Sequence, residues 1–157
     1  MISVHYYILA DRFRSHGNVS HHVQVALHPK IDHSKFRVFS GLGQQLGPIS
    51  VFGAAGAIDG LANIFPKTIS RLFSLASKPA PSQDDLEEAR RLQWIVATAE
   101  EFIAENGIVG IRGAIHRVLG FGDVSGGRLP LKGVLADESY EKWSGILRQI
   151  KEEEDRL

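Results

Sequence analysis

The sequence predicts an α/β fold with parallel strands that passes into an all-helical C-terminal region. Three observations lead there. Between about residues 36 and 76, short β-forming runs alternate with helix-forming runs, and parallel strands need helical crossovers where antiparallel hairpins do not. Past Pro79-Ala80-Pro81 the strand signals stop, and apolar residues recur at threes and fours, the period of a helix face. The strands are also few. Two or three of them make a narrow sheet, whereas parallel sheets are normally wide or closed into barrels. The chain reads as though strands are missing on its N-terminal side.

Each element has a local reason. Ile2 to Leu9 has strand composition. Asn18 to His28 fits a helix, with Asn18 as N-cap and Pro29 as stop. Phe36-Arg37-Val38-Phe39-Ser40 is rich in β-formers and ends at Gly41. A short helix is expected near Gln44 to Phe52, stopped by Gly53, and a second clear strand over Gly56 to Ala62. Pro66 suits the first position of a helix reaching about Ala76. Ser82 is a good N-cap, with Asp84, Asp85, Glu87 and Glu88 in the first turns. Leu86, Ala89, Leu92, Ile95, Val96, Ala99, Phe102 and Ile103 share one face of a long helix that Asn106-Gly107 ends. Ile108, Ile111, Ile115, Val118 and Leu119 mark a further helix ended by Gly120, and Gly122 to Gly133 is a loop. Asp137 is expected to cap a last helix with Tyr140, Trp143, Ile146, Leu147 and Ile150 inward, and Glu152 to Asp155 to be its frayed, solvated end. The division is residues 1–78 for the βα units and 79–157 for a three-helix extension.

Composition narrows the function. The 157 residues are 43% hydrophobic and 23% charged, enough for a packed core and unlike a disordered chain. There is no cysteine, which excludes disulfides, thiolate metal sites and a cysteine nucleophile. Net charge is zero, so charge gives no case for nucleic acid or an anionic membrane. Residues 1–75 carry seven Lys/Arg against three Asp/Glu, and the remainder carries eleven against fifteen. Acids at helix N-termini account for that imbalance. No run is long and apolar enough to span a bilayer. Met1 to Leu9 makes a poor signal peptide, being short and without a basic start. The expectation is a soluble, intracellular, cytoplasmic protein, with a mitochondrial place left open.

Four segments resemble the dihydrodipicolinate synthase / N-acetylneuraminate lyase family of class I aldolases. Ser15-His16-Gly17-Asn18 is similar to the small-residue turn after that family's sixth barrel strand. Phe36-Arg37-Val38-Phe39-Ser40-Gly41 is similar to the seventh strand and its Ser-Gly end. Gly53-Ala54-Ala55-Gly56-Ala57-Ile58-Asp59-Gly60-Leu61-Ala62-Asn63 is similar to the eighth strand, and Asp85-Leu86-Glu87-Glu88-Ala89-Arg90-Arg91-Leu92 to the first helix of the C-terminal extension. They occur in family order over about nine-tenths of the chain. The resemblance implies a partial (β/α)8 TIM barrel, its last two or three βα units only, followed by the helical extension packed on it.

The implied chemistry is pyruvate-dependent carbon–carbon bond cleavage or synthesis. A lysine at the end of the sixth strand forms a Schiff base with pyruvate or another 2-oxo acid, and the protonated imine serves as the electron sink. No separate cofactor or metal is implied. A tyrosine from the fifth strand and a threonine pair from the second lie outside the matched portion. In the Ser15-His16-Gly17-Asn18 register the lysine position falls on Phe13, within a stretch, Asp11-Arg12-Phe13-Arg14, unlike the family's sixth strand. A guanidinium does not deprotonate to an amine, so Arg12 and Arg14 are no substitutes. The pocket positions that remain are Ser40, Gly41 and Ile58. The chain is thus expected to be a truncated lyase relative, inactive alone, with a 2-oxo acid as the small molecule of its family. The alternative is a non-catalytic interaction module that associates with itself or with a full-length relative through open strand edges. A further reading is that Met1 to Arg14 is not authentic coding sequence.

Other constellations carry less. His16, His21, His22, His28 and His33 cluster in sequence, but on a helix His21 and His28 stand roughly 10 Å apart, too far for one ion. Solvated surface histidines are expected. Gly41 to Gly47 follows a strand and opens a helix, yet its spacing is not that of a dinucleotide loop and it lacks the P-loop lysine. His116, Asp123 and Ser125 are close in sequence without the order of roles a triad needs.

Overall fold

The computed structural model describes residues 12–14 and 17–157, the side chains from residue 17 onward. Three parallel strands, β1 (Arg12–Arg14), β2 (Arg37–Ser40) and β3 (Gly56–Ala57), form one sheet in the order β1-β2-β3. Phe13 pairs with Val38 and Phe39 with Gly56. The stretch around Phe13, unlike the sixth strand in composition, does run as a strand beside β2. Pairing supplies what propensity lacks there. The strand expected over Ile2 to Leu9 lies outside the described residues.

Helix α1 (Val19–Ala26) connects β1 to β2, and the Asn18 side chain accepts the His21 N–H at 2.8 Å, as an N-cap should. A single 3-10 turn (Gly43–Gln45) and the five-residue α2 (Leu46–Ser50) connect β2 to β3, where one helix from Gln44 to Phe52 was expected. Strand β3 stops at Ala57, five residues short of its expected end. The cause is local: Asp59 Oδ1 accepts the Ala62 N–H at 2.8 Å and turns the chain into a 3-10 turn (Leu61–Asn63). Helix α3 (Pro66–Ala76) has the expected limits, with Pro66 in its first turn.

The C-terminal region is α4 (Gln83–Leu119) and α5 (Asp137–Arg156). Ser82 and Asp85 form a reciprocal capping box at the start of α4, a device worth about 1 kcal/mol. Gly107, at φ 56° and ψ −149°, breaks α4 into two arms where the Asn106-Gly107 signal lies, and Gly120 ends the second arm in the left-handed region. Asp137 occupies the first helical position of α5 and does not cap it. Its carboxylate pairs instead with Arg117.

One core joins these layers. Leu46, Leu61, Phe65 and Leu72 from the βα units meet Leu92, Ile95, Val96, Ala99 and Phe102 of α4 and Leu147 and Ile150 of α5. A smaller cluster, Val25, Ala26, Phe36 and Val38, packs α1 on β2. No helix among the described residues is long and apolar enough to cross a membrane.

The end of α5 is the largest departure from expectation. Glu154 is not frayed but buried, 8% exposed. Its carboxylate accepts the backbone N–H groups of Lys67 and Thr68, at 2.9 and 2.8 Å, and the Thr68 hydroxyl at 2.8 Å. Phe65, at the N-cap of α3, has no side-chain capping bond. The last turn of α5 thus caps a helix some 86 residues earlier, placing a negative charge at its positive end.

Candidate functional site

The C-terminal ends of β2 and β3 lie side by side, since Ile58 N–H donates to the Ser40 carbonyl at 2.8 Å. In parallel sheets this is the end where sites form. Ser40 is fully buried. Its Oγ donates to the Leu42 carbonyl at 3.1 Å and accepts the Leu42 N–H at 3.0 Å, a closed local turn. Gly41 and Ile58 line a cavity of about 470 Å³ with Leu42, Asp59, Glu100 and Ile111, and Ile58 is 47% exposed there. Of the three sequence-derived pocket positions, two share this cavity and Ser40 supports its rim. Phe13, the position carrying the imine question, is mid-strand in β1. Among the described residues no lysine lines the cavity.

Two acids that the sequence did not single out meet at the cavity wall. Asp59 follows β3, and Glu100 projects from α4. Glu100 is only 2% exposed. One oxygen of each carboxyl is held by a backbone N–H, that of Ala62 for Asp59 and that of Leu61 for Glu100. The other oxygens, Asp59 Oδ2 and Glu100 Oε1, are buried and have no donor among the described residues. Both lie beside Gly43: a Cβ there would come within 2.7 Å of Asp59 Oδ2 and 3.1 Å of Glu100 Oε1. The two acids and Val96 pack so closely on Gly43 that any side chain there would have to displace them.

Burial controls their titration. Desolvation, then repulsion from Asp59, pushes the Glu100 carboxyl up to about 8. Desolvation also raises Asp59, against the opposing Ala62 hydrogen bond. At neutral pH the pair therefore holds at least one proton, and Glu100 can donate or accept one near pH 8. Glu100 does carry a sequence signal. It lies four residues past Val96 and three before Ile103, on the inward stripe of α4, where a charged residue is out of place.

The remaining constellations resolve into structure. The glycine-rich turn is tied to α4: Gly47 N–H donates to Gln93 Oε1 at 2.7 Å, and Gln93 Nε2 donates to the Gly43 and Gln44 carbonyls. Ser125 N–H and Oγ both bond Asp123 Oδ1, while His116 Nδ1 meets the Gly122 carbonyl, so the three make loop contacts and not a relay. His22 corrects the expectation of solvated histidines. It is fully buried on the inner face of α1, and desolvation lowers its pKa, because the helical turn that exposes His21 rotates its neighbour inward. Among the described residues no three acidic or histidine side chains are grouped to hold a metal ion.

No family model matches the sequence. Solved structures do. A chain assigned to the dihydrodipicolinate synthase family from Coccidioides immitis superposes with a TM-score of 0.73 at 21% identity, over 93% of this chain and 47% of the other. A variant of the Sulfolobus solfataricus 2-keto-3-deoxygluconate aldolase gives 0.69 at 20% identity, over 90% and 47%. The same enzyme in complex with D-KDPG gives 0.68 at 20% identity, over 90% and 46%. The chain spans about half the length of the solved chains it matches. At such identities the likeness is one of fold: this chain has the architecture of part of an aldolase-type barrel.

Proposed function

We propose that this chain is the C-terminal portion of an aldolase of the dihydrodipicolinate synthase / N-acetylneuraminate lyase type, and that by itself it does not form the pyruvate imine. The barrel likeness supports the first half of the reading. The second rests on one observation. By the resemblance the family's lysine position falls on Phe13, which pairs with Val38 in β1, and among the described residues no lysine lines the cavity at the strand ends. An imine needs a primary amine that can lose its proton. The chain supplies the back wall of a 2-oxo acid pocket, Gly41 and Ile58 on its surface and Ser40 beneath, together with the helical extension. Treating the purified chain with pyruvate and borohydride is expected to leave its mass unchanged. A covalent adduct found by mass spectrometry, mapped to any lysine, overturns this reading.

The sheet favours a second reading. Among the described residues β1 and β3 each have a strand on one side only, and open parallel edges are templates for pairing. A non-catalytic module that associates with itself or with a complete relative would use those edges. Multi-angle light scattering on the chain alone, then mixed with a full-length relative, should give a mass above the monomer in one of the two. A monomer in both removes the reading.

A further inference from the structure

A groove on the helical side of the sheet has no part in the candidate site. It runs between α2, the C-terminal end of α3 and the first arm of α4, encloses about 900 Å³ and shares no residue with the cavity at the strand ends. Its floor is core: Leu72 is fully buried and Leu75 is 2% exposed. On its walls Val51 and Trp94 are 76% and 59% exposed. Apolar surface left in water is a cost that an apolar ligand removes.

Most polar side chains along the groove already have partners. Ser50 Oγ donates to the Leu46 carbonyl and Ser77 Oγ to the Phe73 carbonyl. Gln93 binds the glycine-rich turn, and Lys78 pairs with Asp85. Arg90 stands exposed at the rim, one helical turn from Trp94. The two acids within one turn of it, Glu87 and Glu88, are held by Gln83 and Arg71. The groove therefore offers a large apolar surface with a guanidinium at its edge.

That combination selects a ligand class. Sugars, nucleotides and short oxo acids are polar all round, and on this floor their groups would lose water without gaining partners. A ligand that fits has an apolar body and a single anionic head, and the volume suits a small molecule. We propose that the groove binds a medium-chain alkyl carboxylate, a free fatty acid, with its carboxylate on the Arg90 guanidinium and its chain along Leu72, Leu75, Val51 and Trp94. Arginine suits the head, since its fork donates two parallel N–H bonds to a carboxylate. Each buried methylene tightens binding about fourfold. Affinity thus comes from the chain, and selectivity for negative charge from Arg90. The site is independent of the aldolase reading, which concerns other residues.

The test is a titration of the ¹⁵N-labelled chain with n-decanoate, n-octanoate and decyltrimethylammonium at about pH 7.5, where a carboxylate is ionised. Each ligand is kept below its aggregation concentration. Decanoate is expected to give saturable shifts at the Gly47, Gly53 and Ser77 amides and at the Trp94 indole N–H. Octanoate should bind several-fold more weakly. Decyltrimethylammonium, with the same tail and the opposite charge, should bind at least about tenfold more weakly. Arg90→Glu should reverse the order of the two decyl ligands. Arg90 is exposed, so the variant changes charge without disturbing the core. Should it fail to fold, the wild-type comparison of the two decyl ligands decides alone. No saturable shift with decanoate, the result of a groove closed by another part of the chain, overturns the proposal. So do equal wild-type affinities for the two decyl ligands and an unchanged order in Arg90→Glu. Movement of the same amides with protein concentration, without ligand, would assign the groove to a second copy and also overturn it.

Discussion

Replacing Glu100 with glutamine is expected to remove most of a stability loss that the wild-type chain suffers as pH rises from about 4.5 to about 8. The folded carboxyl titrates near 8 against an ordinary value of 4.5, so in this interval the unfolded chain ionises first and the folded state must keep its proton. A raised carboxylate pKa stabilises the fold fully below the unfolded value, and that contribution is lost as pH rises through the folded one. With Glu100 almost wholly buried, the loss is on the order of 3–5 kcal/mol. Asp59, raised by desolvation as well, acts in the same direction. Glutamine has nothing to titrate, so the variant should exceed wild type at pH 8 and fall level with it near pH 5. Urea unfolding at those two pH values measures this. Equal pH slopes for the two proteins would show that Glu100 is hydrated and not desolvated. Below this interval the sign reverses. Asp85 is pulled down to about 2 by Lys78 and the Ser82 cap, and Arg-paired Glu88 and Glu153 are also lowered. Their contributions are present above the ordinary carboxylate range and disappear as pH falls through the depressed values.

Glu154→Ala is expected to cost roughly 2–4 kcal/mol, far above the effect of an ordinary substitution in an acidic C-terminal run. It strands two α3 backbone N–H groups and the buried Thr68 hydroxyl at once, and removes the anion from the positive end of α3. Glu154→Gln keeps an acceptor oxygen and should recover part of the loss. Neighbouring Glu152→Ala, on an exposed residue, is the control and should stay within about 0.5 kcal/mol. Thermal unfolding of the three variants separates the cases. A change at Glu154 no larger than at Glu152 would mean that α5 does not dock on α3 in solution. The Arg91–Glu153 pair between α4 and α5, bonded through both terminal guanidinium nitrogens, adds to the same junction. Being partly exposed, it should matter less.

Both effects concern residues whose importance was hidden in the linear text. Glu152 to Asp155 looks like a solvated end because a charge run on one helix normally is one. Nothing in the run says that its last turn meets the first turn of α3. Glu100 was more accessible to reading, since it interrupts an apolar stripe, but its partner Asp59 looks like a strand residue. What ends β3 at Ala57 is the Asp59 bond to Ala62, a contact of three residues' span that β-propensity does not register. Phe13 shows the opposite error. Its segment has poor strand composition, yet it pairs along β2, because a neighbouring strand can override local preference.

By itself the sequence determined the order and type of the elements: the Asn18 and Ser82 caps, Pro66 opening α3, the breaks at Gly107 and Gly120, and the apolar stripe of α4. These follow from backbone geometry and from periodicity within a few residues, which a linear pattern records. Only the tertiary structure decided which groups share a space. It set Glu154 on the end of α3, joined Asp59 to Glu100 beneath Gly43, and turned His22 inward. Burial and the repulsion from Asp59 depend on atoms far apart in the chain, and they convert an ordinary carboxyl into one that holds its proton at neutral pH.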